Sequence, residues 1–254
     1  MKKPPAVLIF ASLLFVPLTL SARTNQETVI LTTNDGVALE CTYYALQASK
    51  APAVILLPDT RCDKRYFGSF PQKLNEAGFA VLAMDFRYKA LIAKAGRMDE
   101  QIRTIQQQNL SILADSDVTA ALDFLSRRDD VDHETIGLVG TSLGSRIAII
   151  SGAGHSSVKA MVLVSLSGSE SLPGGKPVKE LLEAYGNRAV LFMSSEKDWG
   201  GNYKAADDNR TYYDLAKGEK ELRIWPGSGH GVDIIERSEV MNFVISWLQR
   251  NLKK

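Results

Sequence analysis

A serine in a glycine-bounded turn is the residue of this chain best placed to do chemistry. An apolar, strand-like run leads into Gly140-Thr141-Ser142-Leu143-Gly144, and a helix-like run follows it. In so sharp a strand–turn–helix connection, a side chain at either flanking position would clash, and glycines there push the serine out at the tip of a sheet. Because a serine hydroxyl is a poor nucleophile near neutral pH, it needs a base within hydrogen-bond reach and a carboxylate that orients the base.

The chain offers three histidines as possible bases. His230 lies in a glycine-rich loop between the last predicted strand and the last predicted helix, where its ring can reach over the carboxyl edge of a sheet. His133 lies in a polar lead-in to a strand, and His155 follows a helix. We interpret these two as a turn residue and a surface-loop residue, and His230 as the catalytic base.

The orienting carboxylate is expected between the serine and the histidine in chain order. Asp198 follows the apolar strand predicted at 189–194 by a few residues and is the best placed. Glu196 is the nearest alternative. Three further acidic residues are expected to lie exposed on a helix: Asp207, Asp208 and Asp214.

Apolar strands that alternate with helices must bring these residues together, and this alternation predicts an α/β fold. We expect a mostly parallel central sheet of about eight strands with helices on both faces, and an N-terminal antiparallel hairpin that turns at Asn34-Asp35-Gly36. Such sheets place their sites at the carboxyl ends of the strands. The predicted strands are 29–33, 37–44, 53–57, 79–84, the run before Ser142, 160–165, 189–194 and 221–225. The predicted helices are 66–77, 99–125, the run after Gly144, 178–185, 203–216 and 233–252.

Ser142, Asp198 and His230, each after a strand and in that order, resemble the α/β-hydrolase superfamily. The segment 78–87, which ends in Asp85-Phe86-Arg87, also resembles the superfamily's strand that ends in an aspartate and an arginine. The resemblance extends from the hairpin to the C-terminal helix and implies the α/β-hydrolase fold. It does not imply one chemistry, since this superfamily hosts many.

The resemblance also implies an oxyanion hole made by the backbone N–H of Leu143 and an N–H from the loop after the third strand. In that loop the usual His-Gly pair is replaced by Pro58-Asp59, and Thr60 is the expected second donor. A carboxylate beside a developing oxyanion would oppose catalysis. Asp59 is therefore expected either to turn away, paired with Arg61 or Arg65, or to contact the substrate or the resting serine.

Dienelactone hydrolases resemble this chain in the same loop, because they carry an acidic residue at about this position and have no lid. They use a cysteine nucleophile, whereas this chain has Ser142. The segment 166–188 has room for one small helix, so no large lid domain is expected. We interpret Asp59 and Arg61 as candidate substrate-binding residues. Four basic residues either favour an acidic substrate or are solvated surface charge: Arg61, Lys64, Arg65 and Arg87.

Length and charge limit the remaining possibilities. The 254 residues fit a single domain at 23–254, and a net charge of +1 gives no electrostatic case for binding nucleic acid or an anionic membrane. The sequence predicts a signal peptide at 1–22 and export to the periplasm or medium. This segment begins with Lys2 and Lys3, continues with an apolar run at 6–20 and ends with Leu20-Ser21-Ala22. An uncleaved membrane anchor or a buried N-terminal helix are the alternatives.

Two cysteines leave two possibilities open. Export permits a disulfide between Cys41 and Cys62, and the alternative is two unpaired thiols. Cys41 alternates with apolar residues, so it is expected on the buried face of a strand. The cysteine spacing predicts no metal site.

These observations predict a carboxylesterase-like serine hydrolase that cleaves small or soluble esters or thioesters through an acyl-enzyme on Ser142. A small-molecule ester is the expected partner, with no nucleic acid and, after signal cleavage, no membrane. No metal and no organic cofactor are expected. A dienelactone-type lactonase and a small peptidase are alternatives of the same fold. A binding protein that kept the fold and lost the chemistry is the alternative of another class, and Asp59 is the residue in its favour.

Overall fold

Short, fully apolar strands determine the architecture, because such strands are stable only when both faces of their sheet are covered. A computed structural model describes residues 25–47, 50–60, 62–89, 110–168, 176–198 and 205–253. Eight strands form one sheet in the order β1-β2-β4-β3-β5-β6-β7-β8. They are β1 Asn25–Thr32, β2 Ala38–Ala45, β3 Ala51–Leu57, β4 Ala80–Met84, β5 Val131–Thr141, β6 Val158–Val164, β7 Ala189–Lys197 and β8 Lys220–Ser228.

The pairing of the strands confirms the predicted sheet. β1 and β2 form the antiparallel hairpin, and β2 pairs antiparallel with β4. The other neighbours, from β4 through β3 and β5 to β8, are all parallel. The hairpin turns where Asn34-Asp35-Gly36 was expected to turn it, with Gly36 at a φ of 81°.

Helices follow most of the parallel strands. They are α1 Phe70–Glu76, α2 Leu110–Ile112, α3 Thr119–Leu125, α4 Leu143–Gly154, α5 Val178–Tyr185, α6 Ala205–Leu215, α7 Val232–Ile235 and α8 Ser238–Leu252. A π-helical segment, Leu113–Val118, joins α2 to α3, and a 3₁₀ turn, Lys64–Phe67, precedes α1. None of the helices within the described ranges is long and apolar enough to cross a membrane.

Two predicted helices are each divided in two, and the backbone shows why. The helix expected over 66–77 is interrupted at Gly68, whose φ of 52° a right-handed helix does not allow. The closing helix expected over 233–252 is interrupted before Ser238, because Arg237 is extended with φ −66° and ψ 124°. Apolar spacing continues across both breaks, so the sequence pattern alone indicated a single helix in each case.

Alternate residues of the central strands enter two separate cores. From β3, Val54 and Leu56 pack on one side with side chains of α1 and α8, whereas Ile55 and Leu57 pack on the other side with side chains of α3, α4 and α5. All four are fully buried. The helices therefore cover both faces of the sheet, as predicted, and leave the carboxyl edge to carry the site.

Both cysteines are free thiols. Cys41 is completely buried on β2, as its alternation with apolar residues predicted, and burial raises its pKa to about 12. Burial also raises the pKa of Cys62 to about 12, with the nearby charge of Asp59 acting in the same direction. The signal peptide at 1–22, Arg61 and the first part of the helix predicted at 99–125 lie outside the described residues.

A buried ion-pair network ties the π-helical segment to the sheet. Asp117 is completely buried and lies 2.6 Å from a guanidinium nitrogen of Arg87, which also pairs with Asp35 in the hairpin turn. The backbone N–H of Arg87 donates to Asp117 as well, at 3.0 Å. Burial raises the pKa of Asp117, and the Arg87 hydrogen bonds oppose this rise.

Removing the cation from this network should leave an unpaired buried carboxylate. We expect Arg87→Met to lower the free energy of unfolding by about 3–5 kcal/mol. Arg210→Met is the matched control, because Arg210 pairs with Asp207 on the exposed surface of α6 and should matter little. Urea denaturation of both variants measures the difference. Equal losses in the two variants would contradict this account.

Candidate active site

The connection from β5 to α4 is so tight that only glycine fits on either side of Ser142. A Cβ on Gly140 would lie 2.3 Å from the carbonyl oxygen of Gly144, and a Cβ on Gly144 would lie 2.0 Å from that of Leu57. Ser142 itself has φ 51° and ψ −109°, a conformation that L-residues rarely adopt. The turn thus has the geometry of a nucleophile elbow.

Neighbouring backbone groups hold this strained turn in place. The N–H of Ser142 donates to the carbonyl of Val164 at 2.8 Å. The buried hydroxyl of Ser145 lies 2.7 Å from the carbonyl oxygens of both Gly140 and Val164. Ser145 is a supporting residue of the turn that sequence reasoning missed, because one of its two partners, Val164, belongs to the neighbouring strand β6.

His230 and Asp198 form a direct pair at the carboxyl edge of the sheet. Nδ1 of His230 lies 2.6 Å from Oδ1 of Asp198, and the two side chains are 16% and 1% exposed. Glu196, the alternative acid, is exposed and instead accepts from the N–H of Gly227. The structure therefore brings together Asp198 and His230 and leaves Glu196 on the surface.

The loop that carries His230 contacts the elbow. A Cβ on Gly231 would lie 3.4 Å from Cβ of Thr141 and 3.7 Å from Oδ2 of Asp59. The residue after the histidine thus packs against the residue before Ser142. His133 and His155 are elsewhere: Nε2 of His133 lies 2.9 Å from the carbonyl oxygen of Arg128, and that of His155 lies 3.4 Å from Oγ1 of Thr119.

Asp59 points into the site. Its Oδ1 accepts a short hydrogen bond from the N–H of Thr60, and its Oδ2 lies 3.7 Å from Nε2 of His230. Of the alternatives considered for Asp59, pairing with Arg65 does not occur, because Arg65 pairs with Asp63 instead. The N–H of Thr60, the expected second oxyanion donor, is therefore engaged by a carboxylate. Leu143 is the first residue of α4, so its N–H has no acceptor within that helix.

Three carboxylates influence the ionisation of His230. Burial by itself lowers the pKa of the imidazole. The hydrogen bond and charge of Asp198 raise it, followed in effect by the charges of Asp59 and Asp233, and the net result is a pKa above the ordinary value of 6.5. The imidazolium form is therefore stabilised at this edge of the sheet.

The basic residues near this edge have partners within the chain. Lys64 pairs with Glu40 and Asp85, and its side chain is only 10% exposed. Arg87 is committed to Asp35 and Asp117, as described above. These contacts leave neither Lys64 nor Arg87 free to bind an acidic substrate. Arg65 is different, because its side chain is 82% exposed and pairs with Asp63 at the surface, as the solvated-charge interpretation expects.

Two buried serines near His230 were also missed. Ser165 follows β6, and its hydroxyl donates to Oδ2 of Asp198 at 2.6 Å. Ser195, on β7, donates to the carbonyl of Gly229 at 2.8 Å. Their places at the ends of predicted strands were the only sequence signal. Among the described residues, no group of three or more histidine, cysteine, aspartate or glutamate side chains could hold a metal ion.

Comparison with known proteins identifies the family. Residues 40–242 match the model of the dienelactone hydrolase family. The chain belongs to this family. Since the match covers most of the sequence, the protein is a hydrolase of the α/β-hydrolase superfamily, as its residues led us to expect.

Solved structures share the fold at low sequence identity. A dienelactone hydrolase from Anabaena variabilis is 16% identical, with a TM-score of 0.66 over 91% of this chain and 97% of that chain. Est1E from Butyrivibrio proteoclasticus is also 16% identical, with a TM-score of 0.69 over 89% and 99%. At such identity, these structures support the fold and not a particular substrate.

One curated relative is similar in sequence as well as in structure. Uncharacterized protein PA2218 of Pseudomonas aeruginosa is 26% identical over 147 residues, which are 56% of this chain. The match spans only 37% of that protein's length. Its crystal structure has a TM-score of 0.64 and covers 92% of this chain and 95% of that chain, at 19% identity.

The close approach at Gly144 generates a stability prediction. We expect Gly144→Ala to lower the free energy of unfolding by at least about 2 kcal/mol, because the new methyl would overlap backbone atoms that cannot move aside cheaply. Gly154→Ala is the matched control in the same helix. Nothing lies within 4 Å of its Cβ position, and alanine should stabilise by up to about 1 kcal/mol. Thermal and urea unfolding measure both; a neutral Gly144→Ala would contradict the close packing of α4 against β3.

Proposed function

We propose that this hydrolase is a serine carboxylesterase that forms an acyl-enzyme on Ser142. The single observation that carries the proposal is the contact between His230 and Asp198 at 2.6 Å, on a loop that packs against the elbow holding Ser142. A carboxylate on Nδ1 fixes the imidazole tautomer and leaves Nε2 to exchange protons with the substrate and nucleophile. The family match supports the hydrolase class, and the site geometry supports the serine mechanism.

In the proposed reaction, Oγ of Ser142 attacks the ester carbonyl carbon while Nε2 of His230 takes the hydroxyl proton. The carbonyl oxygen becomes an oxyanion that accepts from the N–H groups of Leu143 and Thr60. His230 then gives the proton to the departing alcohol. Water, activated by the same imidazole, attacks the acyl-enzyme, and the acid is released as the proton returns to Ser142.

Asp59 adds a condition to this mechanism. Because its carboxylate holds the N–H of Thr60, a substrate oxygen can use that donor only when the carboxylate moves off it. A neutral or cationic substrate is therefore favoured over an anionic one, which this carboxylate would repel. Arg87 is held in internal ion pairs, so it does not offset this repulsion by attracting an anionic substrate. We accordingly favour neutral esters over the anionic lactones that a dienelactone-type activity would use.

Active-site labelling tests the nucleophile. We expect a fluorophosphonate probe to label the wild-type protein and to leave Ser142→Ala unlabelled, since the probe reacts with an activated serine hydroxyl. Ser195→Ala is the control, because that hydroxyl is buried and bonded to a loop carbonyl. Mass spectrometry locates the label. A folded wild-type protein that takes no label would favour the non-catalytic binding protein instead.

A substrate panel separates the related activities. p-Nitrophenyl esters of increasing acyl length, a neutral lactone, an anionic dienelactone and an aminoacyl anilide should be assayed with wild type and Ser142→Ala. The proposal expects the neutral short esters to give the highest kcat/KM. A preference for the dienelactone or the anilide would assign a lactonase or a peptidase.

The charge of Asp59 should be visible in the pH dependence of hydrolysis. His230 acts as a base only when neutral, so kcat/KM rises with pH through its pKa. Asp59→Asn removes a negative charge that stabilises the imidazolium, and it should therefore move the acidic limb of the profile to lower pH. Asp233→Asn is the matched control, since its charge has the weaker effect on the same pKa and the residue is exposed. If the limb moves no further in Asp59→Asn than in Asp233→Asn, Asp59 does not act on His230 as described.

We also propose that the protein is exported and that residues 1–22 are removed. The basic start, the apolar run and the small residues before Arg23 support this. N-terminal sequencing of the protein recovered from the periplasm or medium should begin at Arg23.

A further inference from the structure

The hydroxyl of Ser165 contacts both Asp198 and the loop that carries His230. It donates to Oδ2 of Asp198 at 2.6 Å and accepts from the N–H of Gly231, the residue after His230, at 2.9 Å. Its side chain is 1% exposed. One buried hydroxyl is thus bonded both to the acid and to the loop that carries the base.

The backbone at Ser165 is strained in a way that serves these contacts. Its φ is 58°, and among the described non-glycine residues only Lys50, Ser142 and Ser165 have a positive φ. The N–H of Ser165 donates to the carbonyl of Met193 at 2.7 Å, which fixes the conformation against β7. Strained residues of this kind persist only when their surroundings hold them, and they cluster at functional sites.

We propose that Ser165 is a positioning residue for hydrolysis: its hydroxyl holds the carboxylate of Asp198 in the one orientation in which the other oxygen meets Nδ1 of His230. The inference rests on the proposed esterase function. Oδ1 faces the imidazole and Oδ2 faces Ser165, so the two contacts together prevent rotation of the carboxyl group. Ser165 touches no reacting atom and acts through Asp198.

The pKa of His230 distinguishes a positioning role from a merely structural one. If Ser165 only supported the fold, its removal would leave this pKa unchanged. The acidic groups that affect its pKa are Asp198, Asp59 and Asp233. Of these, Asp198 is the one bonded to Ser165. A carboxylate that rotates freely would lose part of its hydrogen bond to Nδ1, and the pKa of His230 would fall, because that bond is the largest contribution that raises it.

Ser195 provides a matched control. It is also a fully buried serine at the carboxyl end of a strand, and it is bonded to the same loop, through the carbonyl of Gly229 at 2.8 Å. The two serines thus bond to the loop on opposite sides of His230. Ser165 differs in its bond to Asp198, so comparing the two variants separates loop anchoring from orientation of the carboxylate.

The experiment compares Ser165→Ala, Ser165→Gly and Ser195→Ala with wild type. Glycine suits the positive φ, so Ser165→Gly tests the lost hydroxyl without added strain and remains informative if Ser165→Ala folds poorly. We expect both Ser165 variants to lose at least about tenfold in kcat, with KM within about twofold, as part of the roughly 10²–10⁴-fold that acid–base catalysis supplies. The acidic limb of kcat/KM should move to lower pH in both and stay in place in Ser195→Ala.

A titration by NMR makes the test independent of turnover. The protein has three histidines, and loss of one resonance in His230→Asn assigns the imidazole of interest. Its pKa should fall in both Ser165 variants and not in Ser195→Ala. An unchanged or raised pKa, or a kcat loss no larger than that of Ser195→Ala, would overturn the positioning role. If wild type hydrolyses no ester, the proposed function fails, yet the titration still decides whether Ser165 controls the Asp198–His230 pair.

Discussion

The approach of α4 to the end of β3 is the constraint on which the site depends. The backbone at Gly144 comes so close to Leu57 that a methyl would overlap the carbonyl group. The same packing places the start of the β3 loop against the turn that carries Ser142, and Gly231 lies against both Thr141 of that turn and Asp59 of the loop. The elbow and the expected oxyanion loop are therefore parts of one packing arrangement, and neither could be moved without the other.

Hydrogen bonds from neighbouring strands also fix the positions of the site residues. Val164 accepts from the N–H of Ser142, and the next residue, Ser165, bonds to Asp198 and to the N–H of Gly231. The end of β6 thus contacts the backbone of Ser142 on one side, and Asp198 and the loop that carries His230 on the other. Since β5, β6, β7 and β8 are consecutive in the sheet, the order of the strands is what makes these contacts possible.

Much of this arrangement could be predicted from the chain, for identifiable reasons. Ser142, Asp198 and His230 each follow a strand, and the rule that parallel strands end at one edge predicted that all three lie at the same edge of the sheet. The sheet followed from apolar runs of strand length. In both cases the sequence pattern was local, and a general rule of sheet architecture gave its position in the fold.

Contacts between side chains distant in the chain could not be predicted in this way. The sequence offers no reason for Arg65 to choose Asp63 over Asp59, because several acids lie within reach of that loop and only the backbone path selects among them. Ser165 and Ser195 looked like ordinary strand-end serines, and their partners are 33 and 34 positions away. The breaks at Gly68 and Arg237 were hidden because apolar spacing continues through them.

The free thiols of Cys41 and Cys62 bear on how the chain reaches its folded state. Thiol exchange proceeds through the thiolate, and burial keeps both sulfurs protonated at physiological pH. No cross-link between them holds the hairpin to the β3 loop, so the apolar cores and buried ion pairs must stabilise these parts alone. In the folded chain, the hairpin and the β3 loop are therefore joined by non-covalent contacts, and neither sulfur is ionised for thiol exchange.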